Sequence, residues 1–270
     1  MAHAIPHRRI ESAPAVAYAL PALRERVEEL LAAGTLSDFA SGHPEREPLG
    51  GRGQAWRIPA PATTPGASPF WAVRHYVRGG SVAGPLLGDR YARAGVPRPF
   101  AELRTSERAR ARGVRTPRVL AAASYPAGPL FRRGDLVTDW VEGATDLARS
   151  LFGGAAPDER YALLRASGAL VRTLALAGVE HVDLNAANIA LRATPDGWET
   201  WVLDLDRTRI HAEPLVSAGV RMLARLERSL ARLGASSETP LEAAEWDALL
   251  AGAGDLNDVL RHGHDDAGPA

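Results

Sequence analysis

At 270 residues, with 46% apolar and 24% charged content, the chain can bury a full core, as one large domain or two smaller lobes. Its formal net charge is zero and it has no cysteine, so nothing global points to nucleic acid, and disulfide or thiolate chemistry is excluded. No apolar run approaches the length of a membrane span, and the opening residues lack the apolar segment of a secretory signal, so neither is expected.

Residues 1–12 read as a loose arm, and 21–33 as a short helix stopped by Gly34. From 49 to 79 the pattern turns to strands. Ala55–Ala60 and Pro69–Val77 are the candidates, with a Pro/Gly turn at Thr63–Ser68 between them. A helix is expected over 99–112. Arg118–Tyr125 and Leu136–Val141 follow as strands around a turn at Pro126–Gly134. Pro157–Ala177 is a helix opened by Pro157, Asp158 and Glu159 and closed by Gly178, with Leu163, Leu164, Leu170, Val171 and Leu174 on one stripe. Ile189–Leu191 and Thr200–Leu205 form a strand pair, and Val216–Leu233 a helix with Val220, Leu223, Leu226, Leu230 and Leu233 inward. The last eight residues are expected to fray.

Strands lead, one helix interrupts them, and helices fill the second half. The expected fold is α+β and two-lobed, protein-kinase-like, with an antiparallel sheet plus one helix in the N-lobe and a mainly helical C-lobe. Residues 1–35 are assigned to an N-terminal arm and helix, 36–141 to the N-lobe and 142–270 to the C-lobe.

The chemistry-bearing segment is His181-Val-Asp183-Leu-Asn185-Ala-Ala-Asn188-Ile189, followed by Val202-Leu203-Asp204-Leu205-Asp206. Phosphoryl transfer needs one carboxylate to orient and deprotonate a hydroxyl, and an amide and a carboxylate to hold Mg²⁺ on the phosphates. Asp183 fills the first role, Asn188 and Asp204 the second; the competing reading is a polar turn with Asx caps. His181 reads as a structural hydrogen-bond partner. Asn185 stands where many protein kinases carry a phosphate-directed lysine. Asp206 is either a third metal-proximal carboxylate or a partner of Arg207 or Arg209.

Gly50, Gly51 and Gly53 form a candidate phosphate loop, since glycines let backbone N–H groups approach an anion, although an ordinary turn has the same composition. Arg74, at the end of a Trp-Ala-Val-Arg strand, is placed to pair with helical Glu102 and hold the α- and β-phosphates of ATP, or else is an exposed strand arginine. All 32 basic side chains are arginine, so no lysine can fill that role. Nine arginines lie between 90 and 118 against Glu102 and Glu107, either a solvated helix face or a patch for anionic lipid or a phosphorylated substrate.

Arg74-His-Tyr-Val-Arg-Gly-Gly80, Leu87-Gly-Asp-Arg-Tyr91 and Phe100-Ala-Glu102, with the His181–Ile189 segment, Leu203-Asp-Leu-Asp-Arg-Thr-Arg209 and Arg225-Leu-Glu-Arg-Ser-Leu-Ala-Arg-Leu233, resemble the 3-deoxy-D-manno-octulosonic acid (Kdo) kinases of the lipopolysaccharide kinase group, over about residues 50–235. The resemblance implies ATP and Mg²⁺ as cofactors and the 4-hydroxyl of Kdo on a Kdo-lipid A precursor as acceptor. It implies Asp183 as the active-site base. It places the work peripherally at the anionic cytoplasmic face of the inner membrane of a Gram-negative bacterium, with no nucleic-acid partner. The alternatives are another sugar or small-molecule kinase of this fold, of heptose or aminoglycoside type, and a nucleotide-binding pseudokinase scaffold.

Overall fold

The structure, a computed structural model, describes residues 5–50, 54–62, 66–77 and 88–256. It divides into two compact units: residues 1–107 with 117–142, and residues 108–116 with 143–270.

The first unit is built on an antiparallel sheet of order β1-β2-β7-β8-β5-β4-β3, with β6 also paired to β8. Its strands are β1 Arg8–Ser12, β2 Ala15–Ala19, β3 Glu47–Pro48, β4 Ala55–Pro59, β5 Phe70–His75, β6 Tyr91–Ala92, β7 Val119–Pro126 and β8 Phe131–Asp139. The helices are α1 Arg24–Ala33, entered through a 3-10 turn at Pro21–Leu23, α2 Leu36–Gly42 and α3 Arg98–Ala111. The pleat sends successive side chains to opposite faces. Trp71, Val73, Ala121, Ala123 and Val137 therefore join a core with Val27, Leu30, Leu31 and Leu36 of α1 and α2. Ala122 and Leu136 face the other way and pack with Phe100 and Leu103 of α3.

Two expectations are corrected here. Residues 8–12 are not part of a loose arm, because Arg8–Ser12 is the edge strand, paired to β2 from Arg8↔Ala19 to Ser12↔Ala15. Its polar sequence hides it: only Ile10 is buried, as an edge strand permits. The turn before the last strand is also tighter than expected. β8 starts at Phe131, and Ala127 N–H donates to the Phe131 carbonyl at 2.9 Å. Polar Arg132, Arg133 and Asp135 disguise this start, yet Asp135 is fully buried.

The α2 helix carries a capping box. Thr35 Oγ1 accepts from Asp38 N–H at 3.0 Å, and Asp38 Oδ2 accepts from Thr35 N–H at 3.2 Å. Two further donors of its first turn are met from the sheet: Leu36 N–H by Tyr125 Oη at 3.0 Å and Ser37 N–H by Asp135 Oδ2 at 2.9 Å. Burial, with the nearby Asp135 charge, pushes the Tyr125 hydroxyl well above its ordinary pKa, so it stays neutral.

The second unit holds α4 Leu147–Phe152, α5 Pro157–Leu176, α6 Val216–Ser236 and α7 Ala243–Ala253. It also holds the three-stranded sheet β12-β11-β9 (β12 Gly197–Val202, β11 Ile189–Thr194, β9 Thr145–Asp146) and the pair β10 Val179–His181 with β13 Thr208–Ile210. Leu163, Leu164, Leu170, Val171 and Leu174 of α5 are all buried, each side chain contributing about 2 kcal/mol of transfer free energy before ordering costs. In α6 the buried set is Ala218, Gly219, Met222, Leu226 and Leu230 with Gly234, while Val220 is exposed. Leu223 and Leu233 pack partly buried against the same core, so of the expected inward stripe only Val220 turns outward. Small Gly219 sits close to Ala175 of α5, where a Cβ would stand 3.0 Å from the Ala175 Cβ.

Helices α5 and α7 meet backbone to backbone. A Cβ on Gly168 would lie 2.1 Å from the Leu249 carbonyl oxygen, and one on Gly252 would lie 2.0 Å from the Arg165 carbonyl oxygen. Beside this crossing Arg160 ion-pairs with Glu245 and donates to the Leu151 carbonyl at 2.7 Å. The hydrogen bond from Arg160 is the main cause holding the Glu245 carboxyl below its ordinary range. Because no rotamer relieves a backbone clash, Gly168→Ala is expected to cost about 3 kcal/mol or more, read as a lowered urea midpoint at unchanged m-value.

Candidate active site

The second unit gathers the His181–Asn188 loop and the 203–207 turn into one hydrogen-bonded cluster. The β11–β12 hairpin brings them together, since its register pairs Ile189 with Val202 and so sets Asn188 beside Leu203. Leu203 N–H donates to the Asn188 carbonyl at 2.9 Å. His181 is buried and joins the two segments from below: Nδ1 accepts from Asp183 N–H at 3.3 Å and Nε2 donates to the Leu203 carbonyl at 3.0 Å. Those partners set the roles of the two ring nitrogens, with hydrogen on Nε2. His181 N–H in turn reaches Met222 Sδ at 3.3 Å, and Ala186 N–H reaches Ser229 Oγ at 3.3 Å, which ties the loop to α6.

Within the loop Asn188 Nδ2 donates to the Asp183 carbonyl at 3.2 Å, so Oδ1 is the end of that amide able to ligate a cation. Asn185 braces the turn at both ends, accepting from Ala187 N–H at 2.9 Å and donating to the Asp183 carbonyl at 2.9 Å. The Asp183 carboxylate is exposed, and Arg207 Nη1 meets its Oδ2 at 3.2 Å. Both side chains are more than half exposed, so this pair orients the carboxylate and adds little stability. Asp204 takes a left-handed backbone (φ 56°, ψ 68°) that few residues other than glycine adopt, with Asp among the more tolerant. Among the described residues no group of three or more His, Asp or Glu side chains forms a metal cage. One amide oxygen and one carboxylate suit a hard cation that keeps water and phosphate in its other positions.

A buried carboxylate anchors the strand that enters this loop. Glu180 of β10 accepts from Arg221 Nε at 2.8 Å and from His211 Nε2 at 2.9 Å. Its pKa is lowered to about 2, first by the Arg221 hydrogen bond and then, against the penalty of burial, by His211. Gly178 makes room for the returning chain: at φ +63° its Cβ would lie 2.7 Å from the Glu213 carbonyl oxygen.

In the first unit, alternation along β5 puts Arg74 on the α3 face, where it ion-pairs with buried Glu102. Tyr76 also donates to Glu102, and the Arg74 guanidinium carbon lies 4.9 Å from the Tyr76 ring centroid. The neighbouring His75 faces the other way. Its Nδ1 meets Asp135 Oδ1 at 2.6 Å and its Nε2 meets Asp89 Oδ2 at 3.2 Å. Burial opposes protonation of this ring, but the bonds and charges of Asp135 and Asp89 outweigh it and raise the pKa. Gly50 lies in the bend after β3; Gly51 and Gly53 lie outside the described residues, as do Arg78–Gly80.

The sequence model of the "Lipopolysaccharide kinase (Kdo/WaaP) family" matches residues 52–252. The chain belongs to that family. It is accordingly a kinase. It is 38% identical over 187 residues to a 3-deoxy-D-manno-octulosonic acid kinase of Stenotrophomonas maltophilia, covering 68% of each chain. A protein of the same name from Actinobacillus succinogenes is 33% identical over 67% of this chain and 74% of its own, and one from Vibrio vulnificus 31% over 75% and 80%. A solved structure of WaaP in complex with acyl carrier protein superposes with a TM-score of 0.51 at 17% identity, covering 94% of this chain and 92% of the other. That likeness establishes the kinase-like fold.

Several supporting residues escaped the sequence reading. Arg207 was placed only beside Asp206, yet its side chain reaches Asp183. Glu180 carried one signal, an acid enclosed in the apolar stretch Gly-Val-Glu-His-Val. His75, Asp89 and Asp135 are far apart in the chain, and only strand pairing (His75↔Asp135) brings two of them together. The nine arginines between 90 and 118 do not make one face. Arg112 donates to the carbonyls of Ala177 (2.8 Å) and His211 (2.6 Å), and Arg110 to that of Thr116 (2.7 Å).

Because Glu180 is depressed in the folded state, its stabilisation is complete above the ordinary carboxyl pKa of 4.5 and is lost as pH falls toward about 2. Glu180→Gln is therefore expected to cost about 3 kcal/mol at pH 7, and much less near pH 3, in urea unfolding at the two pH values.

Proposed function

We propose that the protein is an ATP-dependent 3-deoxy-D-manno-octulosonic acid kinase, phosphorylating the 4-hydroxyl of Kdo on a Kdo-lipid A precursor. The observation that carries the reading is the single hydrogen-bonded cluster of Asp183, Asn188 and the 203–207 turn in a chain of this family. The acceptor is supported by the names of relatives at 31–38% identity.

In this reading Asp183 receives the proton of the acceptor hydroxyl as that oxygen bonds the γ-phosphorus of ATP, the bond to the β–γ bridging oxygen breaks and ADP leaves. Arg207 holds one carboxylate oxygen, and the Asn185 and Asn188 amides fix the peptide that carries the side chain. Asn188 Oδ1 and the Asp204 carboxylate would hold Mg²⁺, which supplies charge neutralisation on the transferring group when bound. Arg74, fixed by Glu102 and Tyr76, meets the α- and β-phosphates of ATP, together with backbone N–H groups of the Gly50, Gly51 and Gly53 loop. Catalysis of this kind is positioning and charge complementarity.

Asp183→Asn keeps the shape and removes the base. It is expected to lower turnover by about 10²–10⁴-fold with an unchanged melting temperature, followed by mass spectrometry of a Kdo-bearing lipid A precursor incubated with ATP. Phosphate transfer at the parental rate would refute the assignment.

No helix among the described residues is long and apolar enough to cross a membrane. Work on a glycolipid then calls for peripheral attachment at the cytoplasmic face of the inner membrane, where arginines attract anionic lipid. The protein is expected to sediment with vesicles containing anionic lipid and to be released by salt, whereas equal retention on neutral vesicles would end that part of the proposal.

A further inference from the structure

Two neighbouring loops of the first unit hold aliphatic side chains out in water. Among the described residues four large apolar side chains are exposed, and two of them, Leu130 at 69% and Val96 at 53%, lie here. The others, Val220 and Leu250, belong to α6 and α7 of the second unit. Leu130 sits in the β7–β8 turn, a place that ordinarily takes glycine, proline or a short polar residue. The turn is closed by the bond from Ala127 N–H to the Phe131 carbonyl and by Gly128 at φ +92°. The 93–97 loop runs beside it. Arg93 N–H donates to the Leu130 carbonyl at 2.9 Å, and Arg132 donates to the Gly95 carbonyl at 3.3 Å. β6 pairs with β8 through Tyr91↔Arg132 and Ala92↔Phe131. Both apolar side chains therefore ride on backbone that is fixed before any partner arrives.

Size and charge select the partner. A stable protein interface buries about 800 Å² on each side, far more than two aliphatic side chains offer. A bilayer asks for less, because short apolar side chains enter the boundary between headgroups and acyl chains while arginines stay at the level of anionic headgroups. Residues 91–101 and 126–134 contain no Asp or Glu. Arg133 is ion-paired to Asp89, and Arg98 is stacked on the rings of Tyr76 and Tyr91. The charge beside Leu130 is that of Arg93 and Arg132. These two are close enough that, after burial, the like charge of Arg93 holds the Arg132 guanidinium below its ordinary pKa.

We infer that Leu130 and Val96 insert into an anionic lipid surface, with Arg93 and Arg132 among its phosphates, and that these two loops are the membrane-docking element of the protein. The inference rests on the peripheral-attachment reading and deepens it by naming the residues in contact and adding an apolar component to the attraction of charges.

Sedimentation of the full chain with vesicles of phosphatidylcholine, and of phosphatidylcholine mixed with phosphatidylglycerol, tests it. Leu130→Ser combined with Val96→Ser should weaken partition onto the mixed vesicles about tenfold, the cost of leaving two aliphatic side chains in water. Arg93→Gln should weaken it about fivefold. Val220→Ser combined with Leu250→Ser, also exposed but in the second unit, should change nothing. The chain has no cysteine, so Leu130→Cys offers a single site for an environment-sensitive fluorophore. Its emission is expected to shift to the blue on the mixed vesicles, whereas the same dye at Leu250→Cys should not shift. A cooperative melt at the parental temperature certifies the fold of each variant. Parental binding by the Leu130 and Val96 double variant, or no shift from the dye at position 130, would overturn the inference and leave vesicle attachment itself standing. A parent that binds neither vesicle would overturn both. Self-association of the parent that the double variant loses, without binding to lipid, would make this face a contact between copies and overturn the inference as well. Failure to phosphorylate Kdo, with the vesicle results intact, would instead remove the acceptor assignment and leave the docking element in place.

Discussion

Both nitrogens of one buried imidazole are committed to the main chain, and the rest of the second unit's site depends on that. His181 accepts from the peptide of Asp183 and donates to the carbonyl before Asp204, so a single rigid ring sets the spacing of two loops that meet nowhere in sequence. An imidazole so engaged cannot carry a proton to substrate without releasing one of its loops. The elements around it guard its position. Glu180 pins the strand on one side through Arg221 and His211, and Met222 receives the ring residue's own N–H on the other.

The first unit uses a different device, the period of two along a strand. Adjacent residues Arg74 and His75 serve opposite faces of one sheet, the former meeting Glu102 under α3 and the latter meeting Asp135 under α2. A slip of one residue in β5 would exchange them, burying a guanidinium against the α1–α2 core and removing the partner of a buried carboxylate. Asp135 makes such a slip costly. It has no exposure and serves both the His75 ring and the Ser37 peptide, so the register of the sheet and the entry to α2 are specified by the same two oxygens.

Much of this was legible in the chain because it is local. The leucine stripe of α5, its Pro157 opening and the Asp183-to-Asn188 spacing are short-range patterns, and the turn between β11 and β12 follows from Pro-Asp-Gly. The edge strand β1 was not legible, since a strand with a single buried side chain carries no alternation to read. Helix α6 was legible through its leucines but not at Gly219, whose close approach to Ala175 of α5 no hydrophobicity pattern marks. The same blindness hid Gly168 and Gly252, where the packing signal is the absence of a side chain. Long-range polar links such as His75 to Asp89 and Arg207 to Asp183 depend on folding for their meaning.

The Arg74–Glu102 pair has a chemical corollary. A guanidinium stays protonated throughout the accessible pH range and is a poor nucleophile, whereas a lysine amine can be stripped of its proton and acylated. Amine-directed covalent inhibitors, which capture kinases through the strand lysine, find no ε-amino group anywhere in this chain. Reagents built on dicarbonyl warheads, which condense with guanidines, are the matching tool.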